Sequence, residues 1–208
     1  MTIKQAIREL ADRYAQELKG KMAARVDEMA GDDKSHYLIY FVLGISEKEG
    51  ELIDVYQNKG RFLYKYAGAF LEAATVLCFK EKYPQASKAQ VDNTLGKRPK
   101  QFEIDCLIDS DAVEIKWRDA TTDGDHITKE HTRIQAIKEQ GFKPIRVMFY
   151  YPNRAQAIRI QATLKTIYAG VNGEYYAGDD AWRYVLARTD VDLKSILTEI
   201  AEENKNRT

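Results

Sequence analysis

Two acidic residues and one lysine occupy neighbouring positions in two short apolar runs and suggest hydrolytic chemistry. Asp105 lies in the run 102–108, and Glu114 and Lys116 lie in the run 112–117. Two close carboxylates repel each other unless a proton or a cation lies between them. Mg²⁺ takes oxygen ligands, and a nearby lysine can polarise water and stabilise charge on a phosphate. These residue types predict a Mg²⁺-dependent site that acts on phosphate.

The two runs alternate large apolar with polar or smaller residues, which predicts two strands. Asp109-Ser110-Asp111 between them has the short polar side chains of a tight turn. A two-residue loop at 110–111 would place Asp105 opposite Lys116 and diagonal to Glu114, so all three would share one face. A bulge would break this pattern. The alternative is a solvated strand face held by salt bridges.

The order of these residues resembles a known nuclease signature. Asp105, followed after a hairpin by Glu114-Ile115-Lys116, is similar to the active-site motif of the PD-(D/E)XK nuclease superfamily. The resemblance implies that Asp105 and Glu114 bind the metal, that the Ile115 carbonyl is a further ligand, and that Lys116 assists the attacking water. Ile104 stands where the motif has proline.

The longer string from Glu114 to His126 resembles the ApaLI-like restriction endonucleases. That resemblance implies a prokaryotic, cytoplasmic homodimer that cuts double-stranded DNA at a palindromic site. Nucleases of the superfamily often direct a glutamate from the helix before the sheet toward the metal. Glu72 matches that position, although it could equally lie on the polar edge of its helix.

Two further stretches are candidates for contacts with DNA. A basic cluster precedes the first run, and a polar loop and helix follow the second; such groups can bind phosphates or base edges, or be ordinary solvated loops. The candidates are Lys97, Arg98, Lys100, Arg118, Thr121, Thr122, Asp123, His126, Lys129 and Arg133. We expect Lys129 and Arg133 to point outward from a helix over 125–139, which Asp123 or Asp125 would cap.

The rest of the chain predicts helices around a mixed sheet. Helical spacing covers 2–30, 46–58, 61–83, 125–139, 155–168, 181–188 and 190–203, with a break at 58–60. The run 145–151 is a central strand, 36–43 is ambiguous, and 84–100 and 170–180 read as connections. We therefore expect an α/β fold in which a mixed central sheet is flanked by helices, with extra N- and C-terminal helices. The core is 61–168, within a single domain over 1–208 whose helical ends are 1–60 and 169–208.

Composition sets few limits on function. The 208 residues carry no formal net charge, with 32 basic and 32 acidic residues, so a basic DNA-binding surface is not evident from the total. No uninterrupted apolar run approaches the length of a membrane span. Besides a restriction endonuclease, a structure-specific repair or recombination nuclease and a non-catalytic DNA-binding protein stay open.

Overall fold

The computed structural model describes residues 1–96, 98–118 and 123–206. It divides into two compact units, one of Met1–Ile7 with Leu71–Thr208 and one of Arg8–Phe70. The elements are α1 (Ile3–Met29), α2 (Tyr37–Val42), α3 (Glu47–Lys82), β1 (Ser87–Asp92), β2 (Gln101–Ile108), β3 (Asp111–Arg118), α4 (Asp125–Glu139), β4 (Lys143–Tyr150), α5 (Ala155–Gly170), β5 (Glu174–Ala177), α6 (Asp179–Thr189) and α7 (Leu193–Lys205).

The larger unit contains a mixed five-stranded sheet in the order β1-β2-β3-β4-β5. β1, β2 and β3 pair antiparallel, whereas β3, β4 and β5 pair parallel. The predicted α/β class with a mixed sheet and flanking helices is confirmed. This topology puts the carboxyl ends of β3 and β4 at the same edge of the sheet.

The central strand β4 is covered on both faces. Arg146 contacts α4 through Glu130, with 3.2 Å between Nη1 and Oε1, while the ring of Phe149 lies 4.3 Å from that of Trp182 in α6. Residues an odd number apart in a strand point to opposite faces. Near-continuous burial of the strand is the expected result, and Ile145, Val147, Met148 and Phe149 are all buried.

Two predicted connections contain a strand, and one predicted break lies inside a continuous helix. β1 was missed because its polar residues outnumber its apolar ones, and it is an edge strand whose backbone bonds come from β2. β5 likewise gains its bonds from β4. The predicted break at 58–60 is wrong, since α3 is continuous. The Asn58 amide donates to the Asp54 carbonyl at 2.9 Å and accepts from Arg25 at 3.2 Å. These bonds offset the cost of Gly60 in the helix.

The smaller unit shows how α2 packs against the start of α3. The ambiguous run 36–43 is helical, and the Tyr40 hydroxyl donates to Asp54 at 2.9 Å. A Cβ on Gly50 would lie 2.7 Å from the Tyr40 ring, so only glycine allows this approach. A capping box begins α3: the Ser46 hydroxyl and amide donate to Glu49 at 2.6 and 3.0 Å.

Helix α3 is long and apolar enough, by length and composition alone, to cross a bilayer. One third of the residues in its apolar window are buried, and core helices of globular proteins meet the same criterion. The helix therefore does not by itself indicate a membrane protein.

Candidate active site

The hairpin that carries the acidic residues turns one position earlier than predicted. Ile108 pairs with Asp111, so the loop is Asp109-Ser110, and the predicted pairing is wrong by two residues. Asp109 takes the left-handed conformation, with φ of 51°, which aspartate tolerates better than most residues. Because the error is an even number, the shift in register alone leaves the predicted faces unchanged, and only a bulge could redirect a side chain. Asp105 and Glu114 follow directly after the paired Cys106 and Val113.

A β-bulge lies at Asp105. β1 pairs Ser87 with Leu107 and then Ala89 with Ile104, so Asp105 and Cys106 together stand opposite Lys88. In a regular strand, residues 104 and 107 would point to opposite faces, yet both pack in one core cluster. Bulges are frequent beside active sites because they redirect a side chain. Here the bulge sets the direction of the Asp105 carboxylate.

The Asp105 carboxylate is buried and bound to the backbone of the neighbouring strand. Its side chain is 6% exposed, and its Oδ2 accepts the Ile115 amide at 2.7 Å. Burial, with the negative charge of Glu114, raises the pKa of Asp105 to about 7, although Lys116 acts in the opposite direction. Near neutral pH this carboxylate is therefore only partly ionised when no cation is bound.

Asp105 belongs to a cluster of three acidic side chains. Carboxylate oxygens of Glu72, Glu103 and Asp105 lie within 4.8 Å of one another. Glu72 comes from α3, as predicted, and is not simply on a polar edge. The Lys88 ammonium lies between the two glutamates, 2.6 Å from Glu72 and 2.9 Å from Glu103. Hard cations prefer such an oxygen-rich set of ligands.

Glu103 and Lys88 were missed by the sequence reasoning. Glu103 could have been found, because it lies two residues before Asp105 in the same strand. Lys88 could not, because the strand that carries it had been read as a connection.

Glu114 has the opposite environment, since cations surround it. Lys116 and Arg133 each contact one of its carboxylate oxygens. Burial would raise the pKa of Glu114, but the charges of Arg133, Lys116 and Arg146 lower it to about 2. Burial would also lower the pKa of Lys116, yet the charges of Glu114 and Asp105 raise it. Both groups are therefore ionised at neutral pH.

Arg133 anchors Glu114 to a buried polar network in the protein interior. Its guanidinium donates to the Glu103 carbonyl at 2.9 Å and to Glu130 at 3.4 Å. Glu130 also accepts from Arg146 at 3.2 Å and from the Tyr168 hydroxyl at 2.7 Å. The four residues of this network are all buried: Arg133, Glu130, Arg146 and Tyr168.

The prediction that Arg133 points outward is wrong. Its side chain is 10% exposed and is held by three internal acceptors rather than being presented to a ligand. Periodicity in α4 did not reveal this, because the ion network compensates the burial of a charged residue that would otherwise face water.

The remaining predicted contacts with DNA are distributed as follows. Lys97, Thr121 and Thr122 lie outside the described residues. His126 is half-buried. Asp123 helps to start α4, since its Oδ1 accepts the Asp125 amide at 3.0 Å. The exposed positions are Arg98, Lys100, Arg118, Asp123 and Lys129.

Comparison with known families identifies the family of the chain. The model of the ApaLI-like restriction endonuclease family matches residues 1–202. The chain belongs to the ApaLI-like restriction endonuclease family. It is therefore a nuclease of a restriction system, and its substrate is DNA. No curated protein and no solved structure gives a significant match.

Membership places the hairpin in its expected context. The restriction endonuclease carries Asp105, Glu114 and Lys116 on β2 and β3, with Glu72 on the helix before the sheet. The three hairpin residues interact electrostatically with one another. The arrangement can bind a divalent cation through its carboxylates and can present one ammonium group beside it.

Proposed function

We propose that this restriction endonuclease is a type II enzyme that hydrolyses phosphodiester bonds in double-stranded DNA at a short palindromic site, with Mg²⁺. The observation that carries the proposal is the close grouping of Asp105, Glu114 and Lys116 on one hairpin of a family member. A solvated salt-bridged strand face is disfavoured, because Asp105 and Glu114 are each 6% exposed.

The residues present fit a divalent cation. Asp105 is buried, and two further carboxylates lie nearby. Its raised pKa shows that the site favours an added positive charge, which a cation could supply instead of a proton. Asp105 and Glu114 would hold the ion, with the Ile115 carbonyl as a further ligand and Glu72 on the acidic side. When bound, the ion would supply Lewis-acid stabilisation of the charge that develops on the phosphate.

The chain's own groups then have separate tasks. Lys116 is ionised, so it can orient the attacking water by hydrogen bonding and stabilise negative charge on the phosphate. Arg133 fixes the direction of Glu114 from inside the protein. The Ile115 amide fixes Asp105. Exposed Arg98, Lys100, Arg118 and Lys129 are proposed to contact the DNA backbone, with Asp123 and His126 beside them.

A homodimer is the second part of the proposal, because a palindromic site has two-fold symmetry that a dimer matches. The smaller unit exposes several large apolar side chains along α2, just after it and on the start of α3, and exposed apolar surface can mark an interaction site. They are Leu38, Ile39, Phe41, Val42, Leu43, Leu52, Ile53 and Tyr56. Light scattering should give twice the monomer mass, and Phe41→Glu with Val42→Glu should give the monomer.

Digestion of plasmid DNA tests the proposed activity. Purified protein with Mg²⁺ should yield discrete fragments, whose sequenced ends define one palindrome, and EDTA should abolish cutting. Lys116→Ala should reduce the cleavage rate by about 100- to 1,000-fold, the usual contribution of one positioned donor that stabilises charge in the transition state. Lys165→Ala, an exposed change on α5, is the control for the loss of a lysine. Equal cutting by Lys116→Ala and wild type would reject the mechanism.

The family match favours this assignment over a repair nuclease. Cleavage confined to junctions or nicks would instead support a structure-specific enzyme. We also propose that the enzyme works in the bacterial cytoplasm, where a restriction system meets its DNA, and that the chain acts as a single functional domain over 1–208.

A further inference from the structure

A cleft lined by aromatic and polar side chains lies beside the proposed active site. Its volume is about 420 Å³, and its walls are Trp117, Arg118, Tyr150, Tyr151 and Asn153. None of these residues except Arg118 has a role in the proposed reaction. The cleft lies within the larger unit, where β3 and β4 end.

The strand register fixes the position of the cleft relative to the catalytic lysine. Lys116 pairs with Met148, and Arg118 pairs with Tyr150, two residues further along both parallel strands. At about 3.3 Å per residue, Arg118 lies about 7 Å from Lys116 along β3, and Trp117 lies between them. Ligands of parallel sheets commonly bind outside the carboxyl ends of the strands. DNA bound with a phosphate at Lys116 would therefore place an adjacent nucleotide at the cleft.

The side chains suit a nucleobase better than a phosphate alone. Tyr150 is 51% exposed and Tyr151 is 45% exposed, so their rings are open to solvent rather than packed in the core. Arg118 lies over the Trp117 ring, 5.7 Å from its centroid, which extends the planar surface. Aromatic and guanidinium planes stack on bases, and an asparagine amide can read a base edge. A phosphate would need only the cation.

We propose that the cleft formed by these five residues, the aromatic cleft, contacts a base next to the scissile phosphate and thereby contributes to sequence specificity. This inference rests on the proposed function of the neighbouring site. Tyr151 supplies a stacking face, and Asn153 supplies a hydrogen-bonding amide. Arg118 adds charge and planarity at the entrance.

Binding measurements on two duplexes test the role of the cleft. One duplex carries the site found by plasmid digestion, and the other has the same composition in scrambled order. Binding is measured in the Lys116→Ala background, which prevents cleavage. Asn153→Ala should weaken binding to the specific duplex by about 5- to 150-fold, the range for loss of one base-edge contact, and leave the scrambled duplex unaffected. Asn206→Ala, a change of an exposed asparagine outside the cleft, is the matched control.

Cleavage of a randomised duplex library adds a second readout. Asn153→Ala, with Lys116 intact, should cut sequences that differ from the wild-type site at one symmetric pair of positions. Equal weakening on both duplexes would show a backbone contact only and overturn the inference, as would unchanged affinity and unchanged specificity. Thermal unfolding of each variant checks that it is folded. Failure of wild type to cut any DNA would refute the proposed function; normal wild-type cutting with unaffected variants would refute only the aromatic cleft.

Discussion

The two carboxylates of the proposed site have opposite electrostatic surroundings. Asp105 lies among acidic groups and has a raised pKa, whereas Glu114 lies among cations and has a lowered pKa. Both are buried to the same degree, so burial alone does not explain the difference. The neighbouring charges decide which carboxylate tends to hold a proton.

The contrast suggests different tasks for the two sides. Around Asp105, the carboxylates outnumber the cations, so a divalent cation would relieve repulsion there. On the other side, Arg133 and the network behind it keep Glu114 ionised and fixed before any ligand binds. We propose that Glu114 is a metal ligand held ready before the metal binds, whereas the ionisation of Asp105 depends on the cation. Three predictions test this difference.

The largest effect is expected from removing the cation behind Glu114. Arg133→Met would leave Glu114 and Glu130 as buried charges with too few partners, and breaking a buried ion pair typically costs about 3–5 kcal/mol. The free energy of unfolding, measured by urea denaturation, should fall by that amount. Lys129→Met, on the exposed face of the same helix, should change it little.

A stability loss in Arg133→Met no greater than in the Lys129→Met control would contradict the network. The paired change Arg133→Met with Glu114→Gln offers a further check, since it removes both charges. It should be less destabilised than the sum of the two single variants.

A pH dependence of intermediate size is expected from Asp105. Its pKa of about 7 exceeds the usual value of 3.8, so the folded state binds a proton that the unfolded state releases. The contribution of this group to the free energy of unfolding without metal should therefore be greatest below pH 4. It should fall by up to about 4 kcal/mol as pH rises through about 7. Mg²⁺ should offset the loss increasingly above pH 7.

Thermal unfolding from pH 5 to 8, in EDTA and in Mg²⁺, measures this effect. Asp105→Asn has no titrating group at this position, so its curve should lack the decline and the Mg²⁺ response. Asp12→Asn, on the exposed side of α1, should reproduce the wild-type curve. A wild-type stability that rises between pH 5 and 8 in EDTA, relative to Asp105→Asn, would give the opposite sign and reject the interpretation.

The smallest effect is expected from Lys88, whose ammonium neutralises the acidic side only partly. Its side chain is 54% exposed, and exposed ion pairs contribute about 0–1 kcal/mol. Lys88→Met should lower stability by no more than this and should strengthen Mg²⁺ binding slightly, because a competing cation is removed. Isothermal titration with Mg²⁺ checks the direction; weaker binding than in wild type would show that Lys88 supports the site.

Much of the site followed from residue order because hairpins are local structures. The turn at 109–111 and the alternation on both sides predicted the hairpin that brings Asp105, Glu114 and Lys116 together, even though the predicted register was off by two. The bounds of α4 also followed from its periodicity and its polar start. The family match over 1–202 then supported the interpretation of the motif.

Other features depend on pairing between distant parts of the chain. The bulge at Asp105 exists because β1 pairs with β2 in a shifted register, and β1 itself was not evident in its polar sequence. The burial of Arg133 depends on Glu130, Arg146 and Tyr168, which belong to three different elements. Local propensity contains no information about such partners.

The sequence by itself determined the kinds of side chain, their order and the hairpin that brings them together, because strand alternation and turn chemistry act over a few residues. Only the tertiary structure decided the charge state of each carboxylate. A pKa depends on burial and on charges contributed by remote elements. Asp105 and Glu114 are both carboxylates on neighbouring strands, yet their pKa values differ in the folded protein.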